Sequence, residues 1–145
     1  MKVAVSFSAL DPWAEIQAYQ ERGKDLRGKF GATACFVGTM RDFNEGDGVS
    51  QMTLEHYPGM TEAQLESIVK AAAERFSLLD ALVIHRVGDL MPNDPIVVVA
   101  TWSAHRRAAF EACRAIMEEL KCNAPFWKKE NRDSGVRWVE KNTQG

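Results

Sequence analysis

Three segments of the chain hold most of the side chains that could do chemistry. The first is the loop Gly38-Thr39-Met40-Arg41-Asp42-Phe43-Asn44-Glu45-Gly46-Asp47-Gly48. The second is Ser103-Ala104-His105-Arg106-Arg107, at an expected helix start. The third is Lys121-Cys122-Asn123-Ala124-Pro125-Phe126-Trp127-Lys128-Lys129-Glu130. Lys121 and Lys128 flank Pro-Phe-Trp. Aromatic packing can desolvate an ammonium group and lower its pKa from about 10.4, and a second nearby cation pushes the same way. A lysine so lowered can act as a base or nucleophile; an unshifted one is a general acid or an anion partner. Two surface lysines beside a buried Trp127 would fit the same spacing. At His105-Arg106, backbone N–H groups and the helix dipole favour an anion, and arginine adds a planar fork. A surface basic turn fits equally. Arg41 on a loop is ordinarily a solvated charge and becomes an anion clamp only if the loop folds over a pocket.

Cysteine and histidine add little. Cys35, Cys113 and Cys122 are far apart and odd in number, with no C-x-x-C and no His/Cys ligand spacing. Neither a disulfide framework nor a metal site is expected. Cys113 falls on an apolar helix face and Cys35 within a strand, which predicts packing roles for both. Cys122 has a basic neighbour, Lys121, but no assigned base to activate it. His56, His85 and His105 form no H-x-x-x-H pair.

The elements that must position these residues follow from the hydrophobic pattern. Residues 2–7 alternate as a short strand, and Asp11-Pro12 opens a helix that runs to about Arg22 and stops at Gly23. Gly31 to Val37 reads as a strand with Ala32, Ala34 and Phe36 on one face, followed by the long Gly-rich loop. That loop matches neither a P-loop nor a dinucleotide fingerprint. Ser50 to Tyr57 alternates again. Thr61-x-x-Gln64 reads as a capping box for a second helix, with Leu65, Ile68, Val69, Ala72 and Phe76 as its stripe. Ala81 to Val87 and Ile96 to Trp102 are buried strands separated by a turn at Pro92-Asn93-Asp94. His105 to Lys121 is a third helix, capped by Ser103, with Phe110, Cys113, Ile116, Met117 and Leu120 on its buried side. A last short strand spans Val136 to Trp138. The order β-α-β-β-α-β-β-α-β predicts an α+β fold, a mixed or antiparallel sheet packed with about three helices.

The chain has 145 residues and 16.2 kDa, which fits one domain over residues 1–145. Apolar residues make up 46% and charged residues 26%, which excludes a disordered chain. The net charge of −2 argues against broad binding to nucleic acid or anionic membrane. The charge is uneven: residues 1–103 carry a net −5 and residues 104–145 a net +3. A locally basic third suggests a small-anion site, and a solvated basic face reads the same way. No apolar run approaches the roughly 20 residues of a spanning helix. The N-terminus is too short and too alternating for a signal peptide, so a cytoplasmic location is expected.

Read in full, these segments resemble the large catalytic subunit of molybdopterin synthase. The resemblance is carried by Phe36-Val37-Gly38-Thr39-Met40-Arg41 with Asn44-x-Gly46-Asp47, by Leu54-Glu55-His56-Tyr57-Pro58-Gly59-Met60-Thr61 and by Val83-Ile84-His85-Arg86-Val87-Gly88. It continues through Ser103-Ala104-His105-Arg106-x-x-Ala109-Phe110, Ala124-Pro125-Phe126-Trp127-Lys128-Lys129-Glu130 and Arg137-Trp138-Val139-Glu140, covering roughly residues 30–140. It implies an enzyme of molybdenum cofactor biosynthesis that converts a cyclic pyranopterin monophosphate into molybdopterin by installing two dithiolene sulfurs. The sulfur donor it implies is the C-terminal Gly-Gly thiocarboxylate of a small ubiquitin-like partner, whose tail enters a pocket of the large subunit. A homodimer of large subunits within a heterotetramer is implied, with no cofactor and no metal.

By motif, Lys121 and Lys128 match the family's active-site lysines, and Arg41, His105 and Arg106 its substrate-pocket residues. Lys128 is then the general acid/base. Lys121 positions the partner's terminal carboxyl group and stabilises developing negative charge. Met117, one turn before Lys121, walls the pocket or serves as core. The sequence departs from the family at Met40, at Pro95 and at Cys122-Asn123. It departs again at Lys141-Asn142, where Lys141 would stand in for a basic residue reaching a neighbouring protomer's pocket. Two other classes fit parts of the pattern. One is a Schiff-base enzyme on Lys121 or Lys128. The other is a single-strand nucleic-acid clamp built from Phe126-Trp127-Lys128-Lys129 with Arg132 and Arg137.

Overall fold

The computed structural model describes residues 1–139. Lys141, Asn142 and Glu140, which entered the expectations above, lie outside the described residues. The strands divide into two sheets. The first has the order β1 (Lys2–Ser6), β5 (Asp80–Arg86), β7 (Pro95–Ser103), β2 (Ala32–Thr39). β1 and β5 are parallel and the other pairs antiparallel. β5 and β7 are central, which is why they read as nearly unbroken apolar runs. Their residues alternate between two cores. Ala81, Val83, Val97 and Val99 face helices α2 (Met60–Phe76) and α3 (Arg106–Asn123). Leu82, Ile84, Val98, Ala100 and Trp102 face the other side, where α1 (Pro12–Arg22) packs through Ile16 and Tyr19.

The second sheet is built on β4 (Asp47–His56). β4 pairs with β8 (Phe126–Arg132) along one edge. Along the other it pairs with the short β3 (Phe43–Asn44) and β6 (Gly88–Leu90). β9 (Gly135–Val139) closes the outer edge against β8. Met40, Val49, Met52, Leu54, Val87 and Leu90 form its core. The α+β class and the three helices are as expected. No helix among the described residues is long and apolar enough to cross a membrane.

The local signals succeed where the cap chemistry is unambiguous. Asp11 Oδ1 accepts from the Ala14 N–H at 3.2 Å, Pro12 opens α1, and Gly23 ends it. Elsewhere they shift. α2 begins one residue before the expected box. Gly59, at φ 85°, donates its N–H to Glu62 at 2.8 Å, so Glu62 rather than Gln64 is the capping partner. A β-carbon would strain that φ. Thr61 turns inward instead, accepting from the Tyr57 N–H and donating to the Pro125 carbonyl. α3 starts at Arg106, with His105 in extended conformation as the cap residue; Ser103 is buried at the end of β7, and its hydroxyl accepts from the N–H of His105 at 3.4 Å rather than from the first turn of the helix. Phe110 is 67% exposed, because it sits one position off the buried row Ala109-Ala112-Cys113-Ile116-Met117-Leu120. Phe36 and Cys35 are exposed as well, since β2 is an edge strand.

Candidate active site

The two lysines come from different elements and converge. Lys121 lies in the last turn of α3 and Lys128 in β8, and the Pro125 turn between them folds the chain back. Both are half-buried and line a cavity of about 1420 Å³. Arg41, from the loop joining β2 to β3, lines the same cavity, its guanidinium 5.0 Å from the Phe43 ring centroid. Met117, from α3, both lines the cavity and belongs to the core, so its two readings coincide. Arg41 is exposed, a solvated charge that stands at the cavity rather than remote from it.

The electrostatics follow from this convergence. Burial first, then the charge and side-chain contact of Lys121, together bring the Lys128 ammonium down to about 8. Glu130 opposes the shift and Arg41 adds to it. At pH 7 about a tenth of such a lysine is neutral amine, against well under a thousandth for an ordinary one. The site thus holds a group able to take or give a proton near neutrality, next to two cations able to hold an anion.

Trp127, expected to be buried, is 40% exposed and stands edge-on to Tyr57 at 4.4 Å. Phe126 supplies the apolar wall instead. It stacks on His85 with centroids 3.9 Å apart and planes 18° apart. His85 is buried, and desolvation with the nearby Lys128 and Lys121 charges brings its pKa down to about 4, against the opposing pull of its hydrogen bond to the Arg86 carbonyl. Sequence reasoning gave this residue no role, although it lies in the Val83–Gly88 stretch that carries the resemblance and is a polar side chain inside the apolar run of β5.

A second missed feature is a buried ionic clip. Glu130 Oε1 accepts from Arg132 Nε at 2.9 Å and from Asn44 Nδ2 at 3.0 Å, while Arg132 Nη1 reaches Glu45 Oε2 at 3.1 Å. The clip ties the β3–β4 turn to β8. It also removes Arg132 from any phosphate-binding surface, which breaks the proposed nucleic-acid clamp.

His105 and Arg106 are exposed and do not line the cavity. They sit at the opposite end of α3. Fifteen residues separate Arg106 from Lys121, about 22 Å at 1.5 Å per residue. Within one chain the structure does not bring them to the lysines. Cys113 is walled in, and burial pushes its thiol up to about 12, a poor nucleophile. Cys35 and Cys122 lie along the cavity rim. Among the described residues no three His, Cys, Asp or Glu side chains gather in a way that could hold a metal ion.

A lysine pair, an arginine and a stacked His–Phe wall thus line one cavity of a small α+β protein, an arrangement suited to proton transfer beside an anion. The sequence profile of the MoaE protein family matches residues 9–123. The "Molybdopterin synthase catalytic subunit" of Ralstonia nicotianae (strain GMI1000) is 54% identical over 138 residues, 95% of this chain and 76% of that protein. Among solved structures, the molybdopterin biosynthesis MoaE protein from Burkholderia ambifaria MC40-6 superposes with a TM-score of 0.80 at 45% identity, covering 99% of this chain and 91% of that one. The fold recurs, at 21% identity and a TM-score of 0.78, in a complex of subunits 1 and 2 of the molybdopterin-converting factor from Helicobacter pylori, covering 98% of this chain and 92% of that one. The chain belongs to the MoaE family.

Proposed function

We propose that this chain is the catalytic subunit of a molybdopterin synthase. It transfers sulfur from the C-terminal thiocarboxylate of a small ubiquitin-like partner to cyclic pyranopterin monophosphate, in the cytoplasm. The observation that carries the reading is the convergence of Lys121 and Lys128 in one cavity, with Lys128 held near neutrality. Attack of the thiocarboxylate sulfur on a pterin side-chain carbon forms a carbon–sulfur bond as an oxygen leaves and takes up a proton, as does the phosphate oxygen freed when the cyclic ester opens; water then cleaves the acyl–sulfur bond, which leaves the sulfur on the pterin and returns the partner as a carboxylate. Lys128 delivers and recovers that proton. Lys121 holds the partner's terminal carboxyl group and stabilises the charge that develops there. Arg41 binds the substrate phosphate through its planar fork, and Met117 walls the pocket. The sulfur arrives on the partner, so no cysteine of this chain needs to carry it.

His105 and Arg106 enter through the oligomer. Two copies form a homodimer, each bound to one small subunit. The exposed start of α3 in one copy completes the substrate pocket of the other. The length of α3 supports this arrangement, since a single chain holds the two groups about 22 Å apart.

The test is a reconstitution with purified chain, pyranopterin precursor and thiocarboxylated partner, read by mass spectrometry. Dithiolene product that needs all three components is the expected result. No product with a partner and substrate proven active on another synthase would overturn the reading. Borohydride trapping on the same sample addresses the Schiff-base alternative, which the neutral amine of Lys128 favours; an adduct formed without any partner would support it.

A further inference from the structure

His85 continues the row Ala81-Val83 of β5 toward the α3 side, where an aliphatic residue would extend the core. A buried imidazole stands there instead, and three observations place it against the lysine site. Its Nδ1 lies 2.8 Å from the Arg86 carbonyl oxygen. A carbonyl only accepts, so Nδ1 carries the proton and the neutral ring is fixed in one tautomer. Its face lies flat on Phe126. Residues two apart on a strand share a face, so Phe126 and Lys128 project to the same side of β8, one step of the strand apart. The plate formed by His85 and Phe126 therefore stands on the lysine's side of the strand, about 7 Å along it, and all three residues line the cavity.

We infer that His85 is a positioning residue for Lys128: its ring, pinned by the Arg86 carbonyl and stacked on Phe126, plugs the inner side of the lysine site and keeps water from the amine. A flat, neutral ring suits that task. It fills the space without adding a fourth cation to Lys121, Lys128 and Arg41, and its backbone hydrogen bond stops it from turning. The charged and titratable groups that face it are Lys128 from β8, Lys121 from α3 and His56 from β4. All three oppose its protonation, so the plug stays neutral throughout the working range of Lys128.

The inference rests on the reading of Lys128 as the acid/base group, yet its test needs no turnover. The side-chain resonances of the lysines are titrated by NMR in labelled protein, with Lys128 assigned by its loss in Lys128→Arg. Wild type should show an inflexion near 8 for Lys128. His85→Ala opens a water-sized gap and should raise that inflexion by about one pH unit or more, toward the ordinary lysine value. His85→Phe restores an apolar ring of similar size and should keep it low. If His85→Ala fails to fold, His85→Asn keeps a donor for the Arg86 carbonyl, lacks the ring, and should show the same rise. An inflexion that stays near the wild-type value in the folded Ala or Asn variant would overturn the inference. So would a rise as large in His85→Phe as in His85→Ala. A failed reconstitution would overturn the synthase reading and leave this titration standing.

Discussion

Lys128 combines two properties that pull in opposite directions. Its folded-state pKa, about 8, lies below the ordinary 10.5, so the folded protein disfavours the ammonium that dominates at neutral pH. The unfolded chain binds more protons between those values, so this residue makes stability rise with pH across the window and weakens the fold below it. Lys128→Met should therefore abolish product formation and raise the melting temperature at pH 7 by about 2–4 °C, read by calorimetry. An inactive variant with a lowered melting temperature would contradict the burial of this cation. His85 has a different window. Its folded pKa of about 4 is depressed below the unfolded 6.5. The stability it contributes is complete above 6.5 and is lost as pH falls through 4. Over that span the wild type should lose up to about 3 kcal/mol, and His85→Phe should lose less, as measured by urea unfolding at several pH values.

At the scale of elements, β8 explains both the site and the limits of reading it from sequence. Its inward row is Phe126, Lys128, Glu130, Arg132, while Trp127 and Lys129 point outward. Alternating hydrophobicity cannot signal a strand in which three of four inward residues are charged, so β8 is absent from the elements that the pattern predicts. β1, α1, β5 and β7 were legible because capping and apolar runs are local signals. β3 and β6 were not, since two or three residues become a strand only through pairing with β4. The lysines and Arg41 stood out by residue type and motif. His85 and the Glu130–Arg132 clip did not, because their significance lies in contacts between elements far apart in sequence. The clip holds the turn that follows Arg41, so it acts on the site as well as the fold. Arg132→Met leaves the buried Glu130 carboxylate with Asn44 as its remaining clip partner and should destabilise by about 2 kcal/mol or more. The substrate KM should rise more than kcat falls, because the turn that follows Arg41 loses its tie to β8 while Lys128 stays on that strand. Combining Arg132→Met with Glu130→Gln should recover much of the stability, since the stranded charge is gone. A double variant as unstable as the sum of the single ones would show that the two residues do not act as a unit.

At the scale of the whole molecule, the length of α3 sets the question. The helix carries an anion-suited start at His105-Arg106 and ends at Lys121, beside the cavity. One rigid element cannot bend its start onto its own end. If both ends serve one substrate, the two ends belong to different copies, and a two-fold dimer supplies that exchange twice by symmetry. The consequence is complementation. Lys128→Ala homodimers should be inactive, and Arg106→Ala homodimers strongly impaired. A mixed dimer, purified through two different tags, places both defects in one of its two sites and leaves the other intact. It should show about half the wild-type activity per dimer, with a wild-type KM for the working site. Activity no greater than the average of the two parent homodimers would mean that each site is complete within one chain. In that case Arg106 belongs to a separate surface, and the phosphate of the substrate is held by Arg41 and the lysines alone.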